Sequence, residues 1–105
     1  VTAISGSGPA YVFYFVEALS KIGINQGLSR QDAKTLAVET IIGSARLLEM
    51  SNIDPKILKE NVTSPGGTTE AGLEILESKD YGLYDLLSRT VNAAKNRALY
   101  LNSKG

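Results

Sequence analysis

The stretch that decides the fold reads Val62-Thr63-Ser64-Pro65-Gly66-Gly67-Thr68-Thr69-Glu70-Ala71-Gly72-Leu73. Its hydroxyl residues, proline and adjacent glycines favour a loop, and the residues after them have the pattern of a helix start. Long segments with helical periodicity flank the stretch on both sides, and no segment has a clear strand pattern. The chain is therefore predicted to be all-α, with this loop opening directly onto a helix.

Upstream of the loop, the segment from Pro9 to about Gln26 is predicted to be the first helix. Ser7 is a candidate cap, and Pro9 at the first helical position costs no hydrogen bond. Glu17 and Lys21 have the spacing of a favourable ion pair. The residues from Tyr11 to Val16 are apolar or aromatic around the whole circumference. Such a helix must be covered on more than one side, which implies a partner chain or a further domain.

Four more helices are predicted after a C-terminal cap at Gly27. The second runs from the cap residue Ser29 to about Met50, and Asp54-Pro55 caps a short third helix that runs through Lys56 to Asn61. The fourth is capped by Thr68 or Thr69 and ends near Ser78-Lys79-Asp80, and the fifth runs from Tyr81 to about Asn102. Small residues in the second helix would let another helix approach closely, namely Ala37, Gly43, Ser44 and Ala45.

Composition limits the classes of function. The 105 residues suit one domain, and 11 basic and 11 acidic residues give no electrostatic reason for a nucleic acid or membrane partner. The absence of cysteine and histidine excludes thiolate chemistry and the commonest metal ligand, and no metal site is predicted. The most apolar run, Ala10 to Val16, is far shorter than the ~20 residues of a membrane span. We expect a cytoplasmic protein, and the start at Val1 indicates a piece of something longer.

The loop before the fourth helix is the candidate binding site. A helix N-terminus offers up to four unpaired backbone N–H groups and about half a positive charge. Gly66 and Gly67 remove side chains from the approach. Further donors are the hydroxyls of Thr63, Ser64, Thr68 and Thr69. Such a concavity suits a carboxylate or a phosphate, but the same residues also suit a plain loop followed by a capped helix.

Three neighbouring features leave alternatives open. Glu70 favours the helix start but would compete with an anionic ligand unless it points away. Asn61 is either a ligand-facing amide or a helix C-cap. The run Ser5-Gly6-Ser7-Gly8-Pro9-Ala10-Tyr11 begins like a dinucleotide-binding turn, but it lacks the third glycine and a preceding strand. We interpret that run as the start of the first helix.

Two blocks of the sequence resemble the C-terminal dimerisation domain of pyrroline-5-carboxylate reductases. The longer block runs from Pro55 to Glu77 and contains the loop, and the other is the run from Ser5 to Tyr11. With the order of the helices, the resemblance covers essentially the whole chain. It implies an intertwined, all-α dimerisation domain of about five helices, similar to the C-terminal domain of 6-phosphogluconate dehydrogenase.

The resemblance also implies an activity, the reduction of 1-pyrroline-5-carboxylate to L-proline with hydride from NADPH or NADH. Residues 1–105 would form a single dimerisation and substrate-binding domain, inactive without the N-terminal dinucleotide-binding domain that this sequence lacks. The implied assembly is a homodimer, and in some members of the family dimers assemble further into decamers. The alternative is a non-catalytic helical interaction module whose loop is only a cap.

The resemblance assigns roles to individual residues. Thr69 is the expected catalytic residue near the imine nitrogen, and Asn61 lies close to the nicotinamide end of the cofactor. The turn from Ser5 to Pro9 is expected near the same cleft. The substrate carboxylate is held by the loop residues Ser64, Gly66, Gly67, Thr68 and Thr69.

Overall fold

The structure is a computed structural model that describes residues 2–104. Within that range the chain forms five α-helices and one π-helical turn, and no strand. The π-helical turn spans Thr2–Gly6, and the helices are α1 Gly8–Asn25, α2 Arg30–Ser51, α3 Pro55–Asn61, α4 Thr68–Leu76 and α5 Leu83–Lys104. The predicted all-α fold of about five helices is confirmed.

The chain divides into two compact units. One unit, residues 8–54, contains α1 and α2, which pack against each other. The other unit contains residues 2–7, with the π-helical turn, and residues 55–104, with α3, α4 and α5. The π-helical turn packs against α5 and buries Ala3.

Helix α1 ends as its sequence predicts. Gly27 has a φ of +110°, a conformation that costs glycine little. The N–H of Gly27 donates to the carbonyl of Ile24, and the N–H of Leu28 donates to the carbonyl of Gly23, each at 3.0 Å. These two bonds form a Schellman motif, which satisfies carbonyl groups that the helix end would otherwise leave unpaired.

Helix α2 begins with the predicted serine cap and lies close to α1. The hydroxyl of Ser29 accepts a hydrogen bond from the N–H of Asp32 at 3.1 Å. Ala33 and Ala37 are buried, and a Cβ atom added to Gly23 of α1 would lie 3.2 Å from the Cβ of Ala33. Small residues at these positions are therefore what lets the two helices approach.

In the second unit, two contacts stabilise the C-terminal half of α3. The ammonium group of Lys59 in α3 pairs with the carboxylate of Glu77, the residue after α4. The hydroxyl of Thr63 donates to the carbonyl of Lys59 at 2.6 Å, which satisfies a carbonyl at the end of α3.

Gly82 precedes α5 and is buried, and a Cβ atom there would lie 2.6 Å from the carbonyl oxygen of Leu76.

Several predicted boundaries need correction. Helix α1 begins at Gly8, so Pro9 is its second residue and not its first. The cap residue of α4 is Gly67, whose lack of a side chain leaves no side-chain cap bond, so the prediction of a Thr68 or Thr69 cap is wrong. Helix α4 ends at Leu76, before the predicted boundary, and α5 is displaced to Leu83–Lys104. The π-helical turn has no counterpart in the sequence prediction.

Most large apolar side chains are exposed. Among the described residues, the buried apolar ones are Ala3, Ala33 and Ala37, and α1 contains no buried residue. Phe13 of α1 is 72% exposed and Tyr84 of α5 is 88% exposed. Exposed apolar surface of this extent marks faces that associate with other protein surface. The expectation that α1 needs covering from outside its own unit is consistent with these exposures.

Candidate binding site at the start of helix α4

The loop before α4 contains a type II β-turn over residues 64–67. The N–H of Gly67 donates to the carbonyl of Ser64 at 3.0 Å, and Gly66, the third residue of the turn, has a φ of +73°. Proline at the second position and glycine at the third are the residues that this turn favours. Pro65 and Gly66 therefore fix how the chain enters α4.

The first turn of α4 carries unpaired donors. Gly67 is the N-cap, and the first helical hydrogen bond runs from the N–H of Ala71 to the carbonyl of Gly67 at 3.2 Å. Among the described residues, the backbone N–H groups of Thr68, Thr69 and Glu70 have no acceptor. These groups lie at the positive end of the helix dipole, where an anion is favoured.

The predicted hydroxyl donors fall into two groups. The hydroxyl of Thr63 donates a hydrogen bond to the carbonyl of Lys59 and so stabilises the end of α3. The prediction that this hydroxyl is a free donor is therefore wrong. Ser64, Thr68 and Thr69 are exposed, and in the described part of the chain their hydroxyls have no intramolecular partner. These hydroxyls and the free N–H groups all lie in the β-turn over residues 64–67 or in the first turn of α4.

Glu70 points back toward the loop. Its Oε1 accepts a hydrogen bond from the N–H of Gly66 at 3.0 Å. One of the backbone groups expected to hold an anion therefore already has a carboxylate partner. The charge of Glu70 does not predict this contact. Its position three residues after Gly67 is that of the acidic residue in a capping box, which would accept the N–H of the N-cap; here Glu70 accepts the N–H of the residue before it.

Asn61 is the last residue of α3 and is exposed. Within the described residues its side-chain amide has no hydrogen-bond partner, so the amide is open to a ligand. Asn61 is itself helical, so it lies one residue before the C-cap position that the alternative prediction gave it. The ligand-facing interpretation stays a prediction.

A groove between α3 and α4 offers a poor site for an anion. It contains more carboxylates than ammonium groups, since its lining consists of Lys56, Lys59, Glu60, Thr63, Glu70, Leu73, Glu74 and Glu77. In the described part of the chain, no group of three or more Asp or Glu side chains is placed to hold a metal ion. No helix of residues 2–104 is both long and apolar enough to cross a membrane.

The run from Ser5 to Tyr11 does not form a dinucleotide-binding turn. Ser5 and Gly6 end the π-helical turn, and Gly8 begins α1, with no strand before them in the described residues. The interpretation of this run as a helix start is confirmed. Its expected position near the cleft stays a prediction.

The five helices, with their exposed apolar faces, place the chain in the class of helical association domains. The family model for pyrroline-5-carboxylate reductase dimerisation matches residues 1–101. Since this match covers nearly the whole sequence, the chain belongs to the pyrroline-5-carboxylate reductase dimerisation family.

Individual relatives agree with that assignment. The pyrroline-5-carboxylate reductase of Aquifex aeolicus is 44% identical over 96 residues, which cover 90% of this chain and 36% of the relative. That of Pseudomonas aeruginosa is 41% identical over 101 residues, covering 96% of this chain and 36% of the relative. The chain therefore spans about a third of the length of the curated relatives it matches.

Solved structures show the same fold. A pyrroline-5-carboxylate reductase from Coxiella burnetii matches with a TM-score of 0.88 and 41% identity, over 95% of this chain and 36% of the other. A Plasmodium falciparum pyrroline carboxylate reductase with NADP bound matches with a TM-score of 0.84 and 42% identity, over 91% of this chain and 36% of the other.

Proposed function

We propose that this chain is the dimerisation and substrate-binding domain of an enzyme that reduces 1-pyrroline-5-carboxylate to L-proline with NADPH or NADH. The observation that carries the proposal is the set of unpaired donors at the start of α4, the N–H groups of Thr68 and Thr69 with the neighbouring hydroxyls. A substrate carboxylate suits these donors. The family membership supports a five-membered cyclic imino acid as the source of this carboxylate.

In this proposal the loop positions the substrate for hydride transfer. When bound, NADPH or NADH would supply the hydride for the imine carbon and be oxidised, while the nitrogen would keep the proton of a protonated imine or take one from water. Thr68 and Thr69 bind the carboxylate through their N–H groups, and Ser64 contributes its hydroxyl. The hydroxyl of Thr69 orients the imine nitrogen or passes it the proton from water. Positioning of this kind needs no histidine or cysteine.

The described residues fit only a small part of a dinucleotide site. They contain no strand and no glycine-rich dinucleotide turn, so a further domain would bind most of the cofactor. Asn61 fits the nicotinamide end, because its exposed side-chain amide is open to a polar ligand. We propose that residues 1–105 act as one domain, in a cytoplasmic homodimer that can assemble further into a decamer.

A chimera tests this function. The part of the Pseudomonas aeruginosa reductase that precedes its match to this chain would be fused before Val1, and imine reduction would be followed through oxidation of NADPH and NADH. We expect reduction by the chimera and none by the 105-residue chain alone. An inactive but folded chimera, or an active isolated chain, would contradict the proposal.

Thr69→Ala in the chimera tests the proposed catalytic residue. Loss of its hydroxyl is expected to lower kcat/KM for the imino acid by about 10- to 100-fold, at or below the lower end of proton-transfer contributions, because water can replace the hydroxyl. Thr40→Ala is the matched control, because the hydroxyl of Thr40 donates to the carbonyl of Leu36 within α2 at 2.7 Å. Unchanged turnover and substrate affinity in Thr69→Ala would exclude this role.

The alternative function, an interaction module without a ligand, predicts a different result. Titration of the chimera with L-proline, monitored by solution NMR, reports whether backbone amides between Gly66 and Thr69 change. Changes confined to those amides support a substrate loop. A chimera that associates but shows no response and no activity supports an interaction module.

A further inference from the structure

We propose that Glu70 is a positioning residue of the substrate loop. By accepting the N–H of Gly66, its carboxylate holds the turn against the start of α4 and leaves the N–H groups of Thr68 and Thr69 for the substrate. This proposal rests on the proposed function and gives the donors of the site different partners. The N–H of Gly66 binds Glu70, and those of Thr68 and Thr69 bind the substrate.

The geometry of the contact ties two elements together. Glu70 is the third residue of α4, so the helix fixes its backbone, whereas Gly66 is the third residue of the preceding turn. The Oε1 to N distance of 3.0 Å is that of a hydrogen bond, and an ionised acceptor makes such a bond stronger than one between neutral groups. With the bond from Gly67 to Ser64, the loop is held at two points.

Glu70 contacts the turn and forms no ion pair in the described part of the chain. Lys59 lines the same groove, but its ammonium group pairs with the carboxylate of Glu77. Glu74 also lines the groove, one helical turn further along α4, and no bond from Glu74 to the loop is present among the described residues. Glu70 is thus the carboxylate of α4 that contacts the turn.

This contact changes the expected role of Gly66. A backbone N–H that already donates to Glu70 is a poor donor for a second carboxylate, because two anions would have to share one proton. Gly66 then serves the site through its backbone conformation and its bond to Glu70. The substrate carboxylate is left with the N–H groups of Thr68 and Thr69 and the exposed hydroxyls of the loop.

Steady-state kinetics of the chimera test the proposal through Glu70→Ala and Glu70→Gln. Alanine removes the acceptor, so KM for the imino acid is expected to rise about tenfold, while KM for NADPH or NADH stays within about twofold. Glutamine keeps an acceptor oxygen at the same reach, and is expected to restore KM for the imino acid to within about threefold of the unsubstituted value. Glu74→Ala is the matched control and should change neither constant.

The hydrogen bond itself can be observed separately. Pro65-Gly66 is the only Pro-Gly pair in the sequence, so carbonyl-¹³C proline combined with ¹⁵N glycine selects the Gly66 amide of the 105-residue chain. We expect exchange of this amide with solvent to become about tenfold faster in Glu70→Ala, to stay within about threefold in Glu70→Gln and to be unchanged in Glu74→Ala.

The outcomes separate the two proposals. An active chimera in which Glu70→Ala leaves KM for the imino acid unchanged, or in which glutamine is as harmful as alanine, overturns the positioning role alone. A Gly66 amide whose exchange ignores Glu70 overturns it as well. A folded chimera without any reductase activity refutes the proposed function, and the role of Glu70 in substrate binding falls with it.

Discussion

At the level of single residues, the two glycines of the loop are required for different reasons. Gly66 adopts a φ of +73°, a left-handed conformation that costs other residues energy. Gly67 has an ordinary φ of −90°, but a Cβ atom there would lie 3.1 Å from the carbonyl oxygen of Ser64. The first glycine therefore permits the turn, and the second permits the close approach that the turn produces.

Gly66→Ala tests the conformational requirement. A Cβ atom at Gly66 meets no atom within 4 Å, so the expected loss of about 1 kcal/mol in unfolding free energy comes from the left-handed backbone alone. Gly72→Ala is the control, because Gly72 lies inside α4 and a Cβ atom there also meets nothing. Alanine in a helix interior should stabilise by about 0.5 to 1 kcal/mol. Urea denaturation measures both, and equal effects at the two sites would contradict the argument.

The sequence predicted which residues form the loop, but not which of their polar groups form hydrogen bonds within the protein. Thr63 and Ser64 look equivalent as hydroxyl donors, yet only the fold directs Thr63 toward the carbonyl of Lys59. Likewise, the charge of Glu70 is visible in the sequence, whereas its bond to Gly66 depends on the turn that precedes α4. Pattern identifies the donors present, and geometry decides which remain free.

At the level of helices, boundaries were predictable where one residue type dominates the capping preference. Ser29 is the N-cap of α2, and Gly27 lies in the capping motif that follows α1, as predicted. The prediction failed at α4, because Gly67, Thr68 and Thr69 all favour a helix start and only the turn from Ser64 decides among them. The π-helical turn was not predictable, since its contacts with α5 join residues far apart in the sequence.

Ser29→Ala tests the energetic value of a predicted cap. The hydroxyl of Ser29 accepts the N–H of Asp32 at 3.1 Å, and its loss is expected to lower the unfolding free energy by about 1 kcal/mol. Ser29→Asp keeps a capping oxygen and should stay within about 0.5 kcal/mol of the original chain. Thermal denaturation followed by circular dichroism compares the variants. If aspartate destabilises as much as alanine, packing of the serine and not capping explains the effect.

At the level of the whole molecule, the described residues bury few apolar side chains. This shortage of buried apolar side chains was predictable from the sequence, because the run from Tyr11 to Phe15 places apolar and aromatic side chains around the whole circumference of α1. The positions of α1 that α2 covers were not predictable, since they depend on the close contact of Ala33 with Gly23. Within the unit of α1 and α2, an open apolar groove is left, lined by Val12, Phe13, Val16, Val38, Ile41 and Ile42.

The surface that covers this groove can be identified by substitution at Phe13. The dimerisation family suggests that a second copy of the chain covers the groove. Phe13 is 72% exposed in the single chain, and its ring would then be buried in the dimer. Phe13→Asp should therefore weaken self-association strongly. Loss of about 2 to 3 kcal/mol from the phenyl ring, with the cost of burying a charge, predicts a dissociation constant at least about 100-fold higher.

Analytical ultracentrifugation over a range of concentrations measures this constant. Lys21→Ala is the control on the same helix, because it removes only an exposed ion pair with Glu17 at 3.7 Å, a contact worth a few tenths of a kcal/mol. Association as strong in Phe13→Asp as in Lys21→Ala would show that the groove is not part of the dimer. The apolar faces of the unit that contains α5, around the 88% exposed Tyr84, would then be the surface to substitute next.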